Sequence, residues 1–265
     1  MKPLPVLAAF SHAVRSTTNN IGFAFHVSWP WILALLPLNI AGNIYILTNG
    51  ITSAGSPSEE NPKVVAVTFL MAIASMIAFA SIAVNWHRYI LLDEIPRGMQ
   101  RLRLDVTVWR YVGNIILIFL IMFACALPAG FTIAIAAIMM GESSLYIIVP
   151  AYAALVFAAI SAAYRLSIKL PAVALERRDY GFRDAWTGTQ GNFWRFLGLA
   201  LLYLAVAMVV GLLALLWAGG LGALGGTAGL AIGIAVQLVV NWALTILGVT
   251  MLTSLYGFFV EGRDF

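Results

Sequence analysis

Ser161 to Gly198 reads SAAYRLSIKLPAVALERRDYGFRDAWTGTQGNFWRFLG. It starts in the tail of one apolar run and ends at the head of the next, with the densest charge of the chain between them. Arg165 and Lys169 stand i, i+4 where the first run ends, so a continuing helix carries both on one face. An arginine at mid-bilayer costs roughly 2.5–3.5 kcal/mol on insertion scales, which places this pair at a membrane boundary, stems snorkelling toward the polar side. Pro171 marks a bend or restart. Glu176 to Arg183 reads as solvated, Phe182 to Thr189 as a short surface helix with Trp186 inserted, and Asn192 as the cap of the next span.

The composition agrees with a loop between membrane spans. Of 265 residues, 62% are hydrophobic and 10% charged, where soluble domains carry about 25% charged residues; the mean hydropathy is +0.94. Several apolar runs exceed the roughly 20 residues needed to cross about 30 Å of hydrocarbon as helix. They are long and do not alternate, which fits helices and not barrel strands. The expected fold is all-α: one integral membrane domain over 1–265, six transmembrane helices as three consecutive hairpins, with interfacial helices on the cytoplasmic side.

The spans fall near 27–47, 64–84, 111–140, 145–170, 193–217 and 230–259. Residues 1–26 lack the compact apolar core of a secretory signal and read as an uncleaved segment, with Leu4 to Val14 as an amphipathic surface helix. Trp29 and Trp31 are expected at the headgroup level. Asp105 is placed to cap a short helix leading into the third span. The loop from Asn49 to Pro62 and the turn from Gly141 to Tyr146 hold few charges, and the turn from Ala218 to Gly229 holds none. Glycines through that turn into span six predict close helix approach.

Orientation follows from the basic residues. The loops after spans two and four hold 11 Lys and Arg, and those after spans one, three and five hold one, Lys63. The positive-inside rule then puts the charged loops and both termini in the cytoplasm. The chain also repeats itself weakly. Trp109-Arg110-Tyr111-Val112-Gly113 opens span three and Trp194-Arg195-Phe196-Leu197-Gly198 opens span five. The implied units are 1–92, 93–176 and 177–265, each a short interfacial segment followed by two spans.

Residues that could carry chemistry are sparse. His12, His26 and His87 are dispersed and match no metal-ligand spacing, and His87 beside Arg88 reads as an interface residue. Glu59-Glu60 and Asp93-Glu94 are neighbours in loops, not an acid/base pair. Cys125 reads as a packing residue. No ionisable residue falls in mid-span, which removes the usual pointer to a proton relay or ion-coupled pump. No catalytic, metal or cofactor site is expected, and no basic–aromatic groove for nucleic acid.

Two sets of residues remain as candidates. Arg88, Arg110, Arg165, Lys169, Arg177, Arg178 and Arg195 are candidate anionic-lipid contacts, since a basic residue near the surface is worth about 1 kcal/mol. Asn39 and Asn43, with Gln237, Asn241 and Thr245, form a candidate intramembrane polar cluster, facing other helices as hydrogen-bonding glue or lining a solute path.

At RLSIKLPAVALE and GFRDAWTGTQGNFWRFLG the chain is similar to uncharacterised six-span bacterial inner-membrane proteins of the YciC type. It also resembles the membrane domain attached to some glycerophosphodiester phosphodiesterases. The matching elements are Arg165, Leu170-Pro171, Ala174, Ala185, Gly191-Asn192 and Trp194-Arg195. NWHRYILLDE, from Asn85 to Glu94, looks like a segment of alphaproteobacterial membrane proteins of unknown role. The resemblance implies six helices in a bacterial inner membrane and supplies no catalytic residues. The expected role is a non-enzymatic scaffold or lipid-interacting protein, with membrane lipids and other membrane proteins as partners; the alternative is a small-solute channel or transporter.

Overall fold

The computed structural model describes residues 2–50, 61–140 and 145–265. Glu59-Glu60, Glu142 and most of the two loops that hold them lie outside the described residues. The described chain is mainly helical and contains no strand. Six stretches are long and apolar enough to cross a membrane: Ile21–Ile46, Pro62–Leu92, Gly98–Met140, Tyr146–Ala174, Phe193–Ala223 and Ala235–Phe259. Large apolar side chains along them, Phe69, Phe119, Phe123, Leu216 and Trp217 among them, are exposed. A soluble fold would bury such a surface; in lipid it is the solvated one.

The chain forms two compact units. One comprises Asn20–Gly113 with Ala174–Glu176. In it α2 (Ile21–Gly50) lies along α3 (Pro62–Leu92). α3 starts where Asn61 accepts from the Lys63 N–H at 3.1 Å and Pro62 takes the first helical position, a pairing of cap and proline that leaves no first-turn donor wasted. It ends at Asp93, which adopts a left-handed φ of 55°. Trp31 donates its indole N–H to Ser81 Oγ at 3.0 Å and is 8% exposed. It is therefore a helix–helix contact and not part of an interfacial belt. Gly42 leaves no room for a Cβ against Met71, and Phe23 stacks on Tyr89 at 3.6 Å.

The other unit comprises Met1–Asn19, Asn114–Val173 and Arg177–Phe265. It holds α1 (Val6–Asn19), most of α4 (Val106–Met140), α5 (Leu145–Ser167), α6 (Lys169–Ala174), α7 (Phe182–Gly188) and α8 (Phe193–Phe259). α8 is two arms: Gly226, at φ 57° and ψ −137°, breaks the helix. The arms run back along each other, with Phe196 stacked on Phe259 and the Tyr203 hydroxyl donating to the Leu244 carbonyl at 3.0 Å. Helical hydrogen bonding continues much closer to the turn than the expected loop from Ala218 to Gly229.

α1 extends to Asn19, five residues beyond the expected amphipathic helix, and packs along α8. Its buried face is made of small residues: Ala9, Ala13 and Thr17. Thr17 bonds Thr250 and His12 bonds Ser254, each at 3.0 Å. The opposite face carries the exposed Leu7.

Candidate functional site

The charged ends of the helices hold two separate arrangements. In the first unit Arg88, on the last turns of α3, donates from Nε to Glu94 at 2.7 Å and from Nη1 to the Ala174 carbonyl at 3.0 Å, with Glu176 at 3.4 Å. Glu94 also accepts from Arg103 at 3.2 Å, and Arg103 reaches Asp105 at 3.0 Å. Asp105 in turn accepts from the Thr107 and Val108 N–H groups, so it caps α4 itself and not a separate short helix. The hydrogen bond from Arg88, aided by the charges of Arg88 and Arg103, holds the Glu94 carboxyl below the usual carboxylate range against the opposing effect of burial.

Just inside this network His87 is fully buried, its Nε2 3.1 Å from the Tyr111 hydroxyl. The expected interface histidine is a core residue. Asn85 and Trp86 beside it are buried as well, and Asn85 donates to the Arg101 carbonyl at 3.2 Å.

In the second unit the stretch around Arg165 is organised by α7. The helix breaks at Ile168 and restarts at Lys169, so Arg165 and Lys169 are on separate helices. Each cation sits over an aromatic ring of α7: Arg165 3.6 Å from Trp186, Lys169 4.2 Å from Phe182. Phe182 and Trp186 are themselves i, i+4, so the two stacks follow one face of α7. Arg165 also donates to Thr189 Oγ1 at 2.9 Å and to the Trp186 carbonyl. It is 8% exposed; stacking, not snorkelling, accounts for its position.

Asn192 occupies the position before α8 but makes no side-chain cap there. Its amide oxygen accepts from the Leu4 N–H at 2.9 Å and from Arg195 at 3.3 Å, and its nitrogen donates to the Lys2 carbonyl at 3.2 Å. The expected cap is a clasp for the N-terminal segment.

Of the seven basic candidates, Arg88, Arg165, Lys169 and Arg177 are engaged by carboxylates or rings, Arg177 through Glu261 at 3.4 Å. Arg110, Arg178 and Arg195 are exposed. Trp109 and Trp194, beside two of them, are exposed too.

The polar candidates mostly close onto their own helices. Asn39 donates to the Leu35 carbonyl, Asn43 to Asn39 and Thr245 to Asn241. Gln237 Oε1 is buried without a hydrogen-bond partner among the described residues.

A feature absent from the sequence reading lies between α4 and α5. A crevice of about 530 Å3 is lined by Ile121, Met122, Cys125 and Ala126 on α4 and by alanines 158, 159 and 162 on α5. Trp186 and Leu166 lie at one end, and beyond the other the Tyr152 hydroxyl bridges to the Gly130 carbonyl at 3.4 Å. Cys125 is exposed here and not packed. The available signal was the cluster of alanines flanked by Leu155 and Leu166.

Long helices that expose their large apolar side chains define an all-α, multi-pass membrane protein. Comparison with protein-family models, with curated proteins and with solved structures found no match.

Proposed function

We propose that the chain is a non-enzymatic scaffold or lipid-interacting protein of the bacterial inner membrane, with the charged helix ends and both termini in the cytoplasm. The observation that carries this reading is the pairing of exposed tryptophan with exposed arginine where two long apolar helices begin: Trp109-Arg110 on α4 and Trp194-Arg195 on α8. An indole at the headgroup level beside a guanidinium is the chemistry that anionic phospholipid surfaces hold. Arg178, exposed and without an ion pair among the described residues, is the third contact. Arg88, Lys169 and Arg177 serve the protein's own contacts, and Arg165 is held against α7. The same membrane setting is what the resemblance to YciC-type proteins implies.

The small-solute channel draws no comparable support, because Asn39, Asn43 and Thr245 each donate to a carbonyl of their own helix.

The test is phosphatidylglycerol retained through purification in mild detergent. Changing Arg110, Arg178 and Arg195 to alanine, singly and together, lowers retention by about fivefold per residue if each contributes about 1 kcal/mol. Unchanged retention in the triple variant overturns the headgroup contact.

A further inference from the structure

We propose that the α4–α5 crevice is a binding site for one acyl chain of an anionic inner-leaflet phospholipid, with Trp186 as its floor at the headgroup end; this rests on the orientation and lipid contact proposed above. α4 and α5 are antiparallel neighbours, as the Tyr152–Gly130 bridge requires, yet among the described residues they are not one of the closely packed helix pairs. The reason is local. Ala158, Ala159 and Ala162 face Met122, Cys125 and Ala126, and side chains this short cannot fill the space between the backbones.

Something must fill it. A lining without polar partners keeps water out, and an empty crevice forfeits the dispersion contacts of every atom along its walls. Leu155 to Leu166 covers twelve residues of α5, and its eleven steps at 1.5 Å each make about 16 Å. That is about half of a 30 Å hydrocarbon core, the depth of one leaflet.

The crevice is long and narrow, about 530 Å3 spread along about 16 Å. An alkyl chain, one methylene wide, fits and reaches the far end.

The end at Trp186 assigns the headgroup. The Arg165 guanidinium lies over that ring and gives Nε to Thr189 and Nη2 to the Trp186 carbonyl, and Nη1 makes no hydrogen bond among the described residues. A phosphate oxygen at the mouth of the crevice is the acceptor that completes it.

The experiment uses the full chain, delipidated in detergent and titrated with dipalmitoyl phosphatidylglycerol, with bound lipid counted by native mass spectrometry. The unmodified protein is expected to retain one lipid more tightly than the rest. Ala159→Trp, which fills the crevice, removes that lipid. So does joining an octylthio group to Cys125, the only cysteine, with octyl methanethiosulfonate, from which methanesulfinate leaves as the disulfide forms, and reductant restores binding. The second arm acts on the folded protein and keeps the test decisive if Ala159→Trp folds poorly.

A lipid that survives both treatments but is lost when Arg110, Arg178 and Arg195 become alanine overturns the crevice and leaves the proposed function standing. A lipid count unmoved by all of them overturns both. Equal retention of dipalmitoyl phosphatidylcholine overturns the anionic preference, and equal retention of dipalmitoylglycerol, which lacks the phosphate, overturns the headgroup assignment at Arg165.

Discussion

Glu94 shows how much one carboxylate can organise at a helix end. It takes Arg88 from α3 at 2.6 Å and Arg103 from the segment leading into α4 at 3.2 Å, so it fixes the path of the chain between two spans. Its carboxyl titrates below its ordinary value, first because of the hydrogen bond from Arg88. The folded group thus holds its proton more weakly than the unfolded one. Its contribution is full above the ordinary carboxylate pKa and is lost as pH falls through the depressed value. Glu94→Gln keeps the size and one acceptor but removes the charge, so the variant should melt below the wild type near neutral pH. The two melting curves, followed in detergent from about pH 7 to about pH 3, should converge at the acid end. A gap that stays constant over that range would mean that the carboxylate charge does not hold this corner together. The partial exposure of Glu94 keeps the effect small.

At the scale of elements, the turn of α8 rests on glycines that do different jobs. Gly226 adopts a backbone conformation that side chains disfavour. Gly229 has no space for a Cβ because the Leu221 carbonyl occupies it, and at Gly233 a Cβ would come within 2.7 Å of Ala218 Cα. Gly225, by contrast, faces open space. Gly229→Ala must push the arms apart and should destabilise the protein by about 1–3 kcal/mol, whereas Gly225→Ala should leave its thermal or denaturant midpoint nearly unchanged. Equal effects would show that close approach is not what Gly229 provides. The glycine spacing made this contact legible in the sequence, as run length did for the six spans. Other features were hidden because they depend on partners far along the chain. Nothing near Arg165 says that its ring partner is Trp186, nor near Asn192 that it clasps Leu4. Trp31 has the character of a belt residue until Ser81, fifty residues on, accepts a hydrogen bond from its indole N–H. The alanines of α5 are equally compatible with tight packing and with a crevice, and only the separation of α4 and α5 decides between them.

For the whole molecule the decisive quantity is the distribution of basic residues. With six spans, 14 of the 15 Lys and Arg fall on one side and Lys63 alone on the other. Short loops carrying such an excess stay in the cytoplasm, whereas acidic residues contribute little to the choice. In the proposed orientation the near-neutral turns cross and the charged ones do not. Alkaline phosphatase, active only outside the cytoplasm, should report activity when fused after Ser56 and none when fused after Arg178 or Phe265. A fluorescent protein that matures only in the cytoplasm should give the complementary result at the same three points. Activity after Arg178 with none after Ser56 would invert the protein and move its exposed Trp–Arg pairs to the outer surface. Activity after both Ser56 and Arg178 would break the six-span count itself, because three spans, an odd number, separate those positions and must put them on opposite sides.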